Sequence, residues 1–127
     1  FKINRRPLKS ISLTVDTSAI TAISNDIGYD KVFSRQLEGL ATSKDVLIVL
    51  STSGNSKNII RVLQSCKKIG VKTIAFLGNN GGKSKYYATL KVIINSTNTA
   101  RIQELHQTLL HCICESIERE LFKKRNY

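Results

Sequence analysis

A chain of 127 residues, 41% hydrophobic with a mean hydropathy of -0.13, has room for one domain around a single core and too little for two. The net charge of +11 comes from 20 basic and 9 acidic residues that are scattered along the chain, and aromatic residues, at 6%, do not interleave with them. That pattern excludes a dedicated nucleic-acid surface and leaves a weak preference for anionic ligands, phosphorylated metabolites included.

No apolar run approaches the roughly 18–20 residues that span a bilayer, and no signal-peptide pattern opens the chain, so we expect a cytoplasmic protein without membrane partners. The sequence has no methionine and starts at Phe1, which leads us to expect a fragment of a longer chain. Cys66, Cys112 and Cys114 are odd in number and lack CxxC spacing, so they read as plain thiols of a reducing compartment. On a helix Cys112 and Cys114 point about 200° apart, so they do not share a metal.

In chain order, short β-rich apolar runs fall at 11–15, 46–50, 73–77 and 92–94, and segments with helical spacing separate them. Strands that are apolar throughout, rather than alternating, predict a parallel sheet with helices on both faces. The helix expected at 30–40 carries Val32, Phe33, Leu37 and Leu40 on one stripe. The next, at 58–69, carries Ile59, Val62, Leu63 and Cys66 and ends at Gly70, a C-cap signal. After the third strand and a short helix, the last helix, at 99–122, repeats Ile102, Leu105, Leu109, Ile113, Ile117 and Leu121. A stripe that long exceeds what a small domain covers, which predicts a helix shared with a second subunit.

An open parallel sheet binds ligands at the carboxyl ends of its strands. Those exits read Asp16-Thr17-Ser18, then Ser51 to Ser56 (STSGNS), then Gly78 to Gly82 (GNNGG), then Asn95 to Thr99 (NSTNT). STSGNS is the richest. Hydroxyls at Ser51, Thr52, Ser53 and Ser56 surround the expected start of a helix, whose unpaired amides carry the positive end of its dipole, and this chemistry suits a phosphate monoester. The alternative is plain helix capping by Asn55 or Ser56 with Gly54 as the turn, but a cap needs one such side chain and here five crowd six positions. Asn25-Asp26 before Gly28 reads either as a polar pair that reaches sugar hydroxyls or as a turn. Asn79 to Gly82 reads as a tight turn. On the last helix Gln103, Gln107 and His111 advance about 40° each and form a polar ridge, and His106 and His111 are the only histidines. Gln103 and His111 lie roughly 12 Å apart along a straight helix, so one ion takes both only if the helix start is distorted or different subunits supply them.

Taken together, four ordered blocks, TAISNDIGYDKVFSRQLE, DVLIVLSTSGNSKNII, GVKTIAFLGNNGGK and TARIQELHQTLLHCICESIE, resemble the sugar isomerase (SIS) domain, and within it the phosphoheptose isomerases. The resemblance covers nearly the whole chain. It implies a single SIS domain, flavodoxin-like, over residues 1–127. The implied activity is aldose-ketose isomerisation of sedoheptulose 7-phosphate through an enediolate, in which a carboxylate moves a proton between adjacent carbons and a second group serves the oxygens.

Position by position, the resemblance assigns Ser51, Thr52, Ser53 and Ser56 to the phosphate and Asn25 and Asp26 to the sugar. Gln103 would contact substrate or zinc, and His111 would be the acid/base and a zinc ligand. Zinc, where present, polarises the carbonyl. A homotetramer is also implied. The family's front, with its Gly-Asn-Gly-Gly-Ser loop and the helix carrying a histidine and the glutamate base, is absent from this sequence, so residues 1–127 alone are expected to isomerise negligibly. A second reading is a non-catalytic SIS module that binds a phosphosugar as a signal or partners a replication initiator; Gln103 and His111 favour the enzyme.

Overall fold

The computed structural model describes residues 2–122. The order is α1 (Thr17–Asp26), α2 (Val32–Leu40), β1 (Val46–Ser51), α3 (Lys57–Ile69), β2 (Lys72–Gly78), β3 (Leu90–Ile94) and α4 (Thr99–Phe122), with single 3-10 turns at Tyr29–Lys31 and Ser84–Tyr86. The three strands form a parallel sheet in the order β1-β2-β3, with Ser51 beside Leu77 and Phe76 beside Val92.

The central strand shows why its sequence is apolar throughout. Ala75 and Leu77 face α3 and join Val62, Leu63 and Cys66 in the main core with Leu37 of α2 and Val49 of β1. The intervening Phe76 and Gly78 face α4, where they meet His106 and Ile102. Helices therefore cover both faces of β2, as parallel strands require. β1 is covered on one face only: Leu47 and Val49 point to the core, while Val46, Ile48 and Leu50 are exposed.

The run at 11–15, expected to be the first strand, is not one. It turns at Leu13-Thr14 and leads straight into α1, whose N-cap Asp16 accepts a hydrogen bond from the Ala19 amide at 2.9 Å. Ile11 and Val15 are about 70% exposed. Leu13 packs against the core, and its carbonyl accepts from Gln36 Nε2. β-propensity alone does not make a strand; a ladder partner is needed, and among the described residues β1 pairs only with β2. Asp16-Thr17-Ser18 is thus a helix start, not a strand exit.

α3 ends as its sequence predicts. Gly70 adopts the left-handed conformation (φ 86°), and its amide and that of Val71 both donate to the Cys66 carbonyl. Burial pushes the Cys66 thiol up to about 11. Cys112 and Cys114 are free and exposed. Under native conditions an aromatic disulfide reagent should therefore modify Cys112 and Cys114 within minutes and Cys66 only on unfolding, which a time course of thiolate release would show.

The start of the described chain is latched to α4. The Lys2 amide donates to Glu118 Oε2 at 2.7 Å, Arg5 Nε donates to Glu118 Oε1 at 2.8 Å, and the guanidinium groups of Arg5 and Arg6 lie over the Phe122 ring. Glu118 is 4% exposed, and the Lys2 amide above all, with the Arg5 guanidinium, holds its carboxyl down to about 2 against the opposing effect of burial. The folded pKa lies below the unfolded one, so the latch stabilises fully above the usual carboxylate range and is lost as pH falls towards 2. We expect Glu118→Gln to melt below wild type at neutral pH, with the gap closing as the pH approaches 2 in a series of thermal scans. A gap that does not depend on pH would contradict the latch. Of the basic residues near the end, Lys123, Lys124 and Arg125 lie outside the described residues.

Candidate functional site

β1 delivers its last residue, Ser51, into a loop whose polar groups are largely spent on shaping the loop itself. The Ser51 hydroxyl, on a residue 7% exposed, accepts from the Gly54 amide at 3.1 Å and lies 3.4 Å from the Ser56 hydroxyl. Ser53 Oγ accepts from the Asn55 amide. Asn55 Oδ1 accepts from the Lys83 amide at 3.0 Å.

The loop is then pinned to the exit of β2. Asn79 Nδ2 donates to the Thr52 carbonyl at 2.9 Å, and the Ser84 amide donates to the Gly54 carbonyl. Gly54 (φ 65°) sits so close to this second loop that a Cβ would lie 2.2 Å from the Gly81 carbonyl oxygen. Gly78 allows the Thr52 carbonyl and Ile102 to approach in the same way. Asn79 also donates its amide to the Ser96 carbonyl, so the exits of all three strands meet.

The two candidate caps of α3 do not cap it. Ser56 occupies the N-cap position without a side-chain bond to the helix, and the Asn55 side chain is engaged with Lys83. Among the described residues the amides of Lys57 and Asn58 have no partner. An α-helix that leaves its first amides open beside hydroxyls is a ready receptor for an anion.

Across from the loop stands α4. A cleft of about 460 Å³ is lined by Ser51, Thr52 and Ser56 on one side and by Gln103, His106 and Gln107 on the other. A larger hollow, about 580 Å³, lies on the outer side of α3 among Lys57, Arg61 and Lys83, but it contains the Arg61–Asp30 ion pair and no hydroxyl loop. The chemistry of the smaller cleft makes it the candidate site.

The residues singled out from sequence divide into two groups. Ser51, Thr52, Ser56 and Gln103 line the cleft. Ser53 is exposed beside it, occupied with Asn55. Asn25 and Asp26 occupy the last turn of α1, exposed, with Asn25 Nδ2 donating to Asp26 Oδ1 at 2.8 Å, and neither lines the cleft. His111 is exposed on α4 two turns beyond Gln103 and is likewise not part of the lining.

α4 runs unbroken from Thr99, so no distortion at its start brings Gln103 and His111 together. Among the described residues there is no cluster of three or more His, Cys, Asp or Glu able to hold a metal. On this unbroken helix Gln103 and His111 stand about two turns apart, which leaves supply by different subunits as the way for one ion to take both. Sequence reasoning passed over His106 as a site residue. Its signal was the spacing from Ile102: four residues on, it falls on the buried stripe of α4, where a histidine needs a polar partner.

Fold and cleft define an α/β protein with a polar crevice at the carboxyl ends of parallel strands. A model of the SIS domain matches residues 1–78, and the chain belongs to that family. Among curated proteins it is 47% identical to a phosphoheptose isomerase of Helicobacter pylori (strain Shi470) over 98% of this chain and 65% of that protein. It is 49% identical to one of Geobacter sp. (strain M21) over 99% of this chain and 66% of that protein. Two solved phosphoheptose isomerases share its fold. That of Neisseria gonorrhoeae aligns with a TM-score of 0.82 at 42% identity over 84% of this chain and 61% of the other. That of Francisella tularensis aligns with a TM-score of 0.88 at 35% identity over 91% and 62%. The chain thus spans just under two thirds of the length of these relatives.

Proposed function

We propose that this chain belongs to an aldose-ketose isomerase that converts sedoheptulose 7-phosphate to a heptose 7-phosphate. The observation that carries the reading is the cleft in which Ser51, Thr52 and Ser56, at the uncapped start of α3, face Gln103 and Gln107 of α4. The names and the near-50% identity of the relatives support it. In this reading the loop hydroxyls and the α3 amides hold the phosphate, which fixes one end of the sugar, while the amides of Gln103 and Gln107 are placed for its hydroxyls. Asn25 and Asp26 are assigned to the sugar and His111 to acid/base work, roles that in this reading they play across a subunit interface, since none of the three lines the cleft of its own chain.

Isomerisation through an enediolate also requires a carboxylate base, and none lines this cleft. In this reading the base comes from outside the described residues; a second reading is a non-catalytic phosphosugar-binding module, and Gln103 and His111 favour the enzyme. Incubating the full-length parent protein, rather than residues 1–127 alone, with sedoheptulose 7-phosphate and following the aldose by chromatography separates the two: turnover supports the isomerase, and binding without turnover supports the module.

The apolar stripe of α4 supports a homo-oligomer, a tetramer in our reading, because Leu105, Ile117 and Leu121 are each more than 40% exposed. A cytoplasmic setting is supported by the free thiols. Among the described residues no helix is long and apolar enough to cross a membrane.

A further inference from the structure

We propose that His106 is a positioning residue: through a proton on Nε2 it ties α4 to the end of β2 and so sets Gln103 and Gln107 at their distance from the serine loop. The inference rests on the phosphosugar reading of the cleft. His106 is 2% exposed, and its Nε2 lies 3.3 Å from the Leu77 carbonyl oxygen. A carbonyl only accepts, so the contact is a hydrogen bond only if Nε2 carries the proton. Leu77 is the ladder neighbour of Ser51, the first hydroxyl of the loop. The imidazole therefore joins the helix that bears the glutamines to the strand beside the phosphate loop.

Its ring is held by Phe76, at 5.8 Å between centroids and tilted by 58°. One turn earlier Ile102 fills the space above Gly78, where a Cβ would lie 2.5 Å from Ile102 Cδ1. Ile102 supplies the close apolar contact and His106 the directional one. Among the described residues α4 packs on the sheet through β2. Without the hydrogen bond α4 would keep its apolar contact but lose its register across the cleft.

The test uses His106→Leu, which keeps an apolar side chain of similar bulk, and His106→Gln, whose amide nitrogen reaches the position of Nε2. Calorimetric titrations compare inorganic phosphate with sedoheptulose 7-phosphate. For His106→Leu we expect phosphate affinity within about twofold of wild type and sugar-phosphate affinity down about tenfold or more, with His106→Gln recovering most of the loss. Sugar-phosphate affinity unchanged in His106→Leu would overturn the proposal, and so would equal losses for both ligands without recovery in His106→Gln. Nitrogen NMR of the wild-type imidazole gives a second readout that no variant's folding affects: a proton on Nε2 is expected, and an unprotonated Nε2 would overturn the assignment. Wild type that binds inorganic phosphate but not sedoheptulose 7-phosphate would sink the heptose reading, and the NMR result would still decide the role of His106.

Discussion

Gly54→Ala is expected to destabilise the protein by about 3–5 kcal/mol, a large part of what holds a small domain together. Two costs combine. At φ 65° a Cβ is strained by roughly 1 kcal/mol or more. The larger cost is steric, because the new methyl would sit 2.2 Å from the Gly81 oxygen and 2.8 Å from the Gly82 nitrogen. These are backbone atoms fixed by the Asn55–Lys83 and Gly54–Ser84 hydrogen bonds, so neither loop gives way without breaking the other. Gly39 is the control. It lies within α2, where an added Cβ would meet nothing within 4 Å, so Gly39→Ala should be neutral or stabilising by up to about 1 kcal/mol. Urea unfolding of the three proteins checks both signs, and a Gly54→Ala midpoint equal to wild type would refute the loop contact.

Ser51→Ala and Ser56→Ala should both weaken binding of a phosphate ligand, but only the first should also weaken the fold. A hydrogen bond to a charged group contributes roughly 1.5–3 kcal/mol, so each substitution should raise the Kd about tenfold to a hundredfold. Ser51 also supports the loop, since its buried hydroxyl accepts from the Gly54 amide, and removing it leaves that amide unsatisfied at a cost of about 1–3 kcal/mol. Ser56 is exposed and does not cap α3, so its loss should leave stability within about 0.5 kcal/mol. Titration calorimetry and urea unfolding of each variant distinguish the two effects. Ser56→Ala that binds like wild type would remove the hydroxyl from the site.

The elements legible in the sequence were those whose pattern matched their packing. β2 is apolar at every position from Ile74 to Leu77 because helices cover both its faces, and α3 was legible from its stripe to Gly70. The run at 11–15 misled because β-propensity describes a residue's fit to a sheet, not the presence of a neighbouring strand. At the site, the hydroxyl loop was visible as a local density of side chains. What it leans on was not, because Asn79, Gly78 and Gly81 come near it only through the parallel register of β1 and β2. GNNGG read as a turn; in the fold it is also the wall against which the serine loop is set. His106 was hidden for a related reason. It shares the buried stripe four residues on from Ile102, but the carbonyl it meets lies 29 residues away in sequence.

The most direct test of the central claim is a ¹H–¹⁵N NMR titration with sedoheptulose 7-phosphate. The cleft predicts saturable shifts in the backbone amides from Ser51 to Asn58 and in the side-chain amides of Gln103 and Gln107, with unphosphorylated sedoheptulose causing far smaller changes. Shifts confined to the basic outer side of α3, around Arg61 and Lys68, or equal responses to the sugar with and without its phosphate, would contradict it.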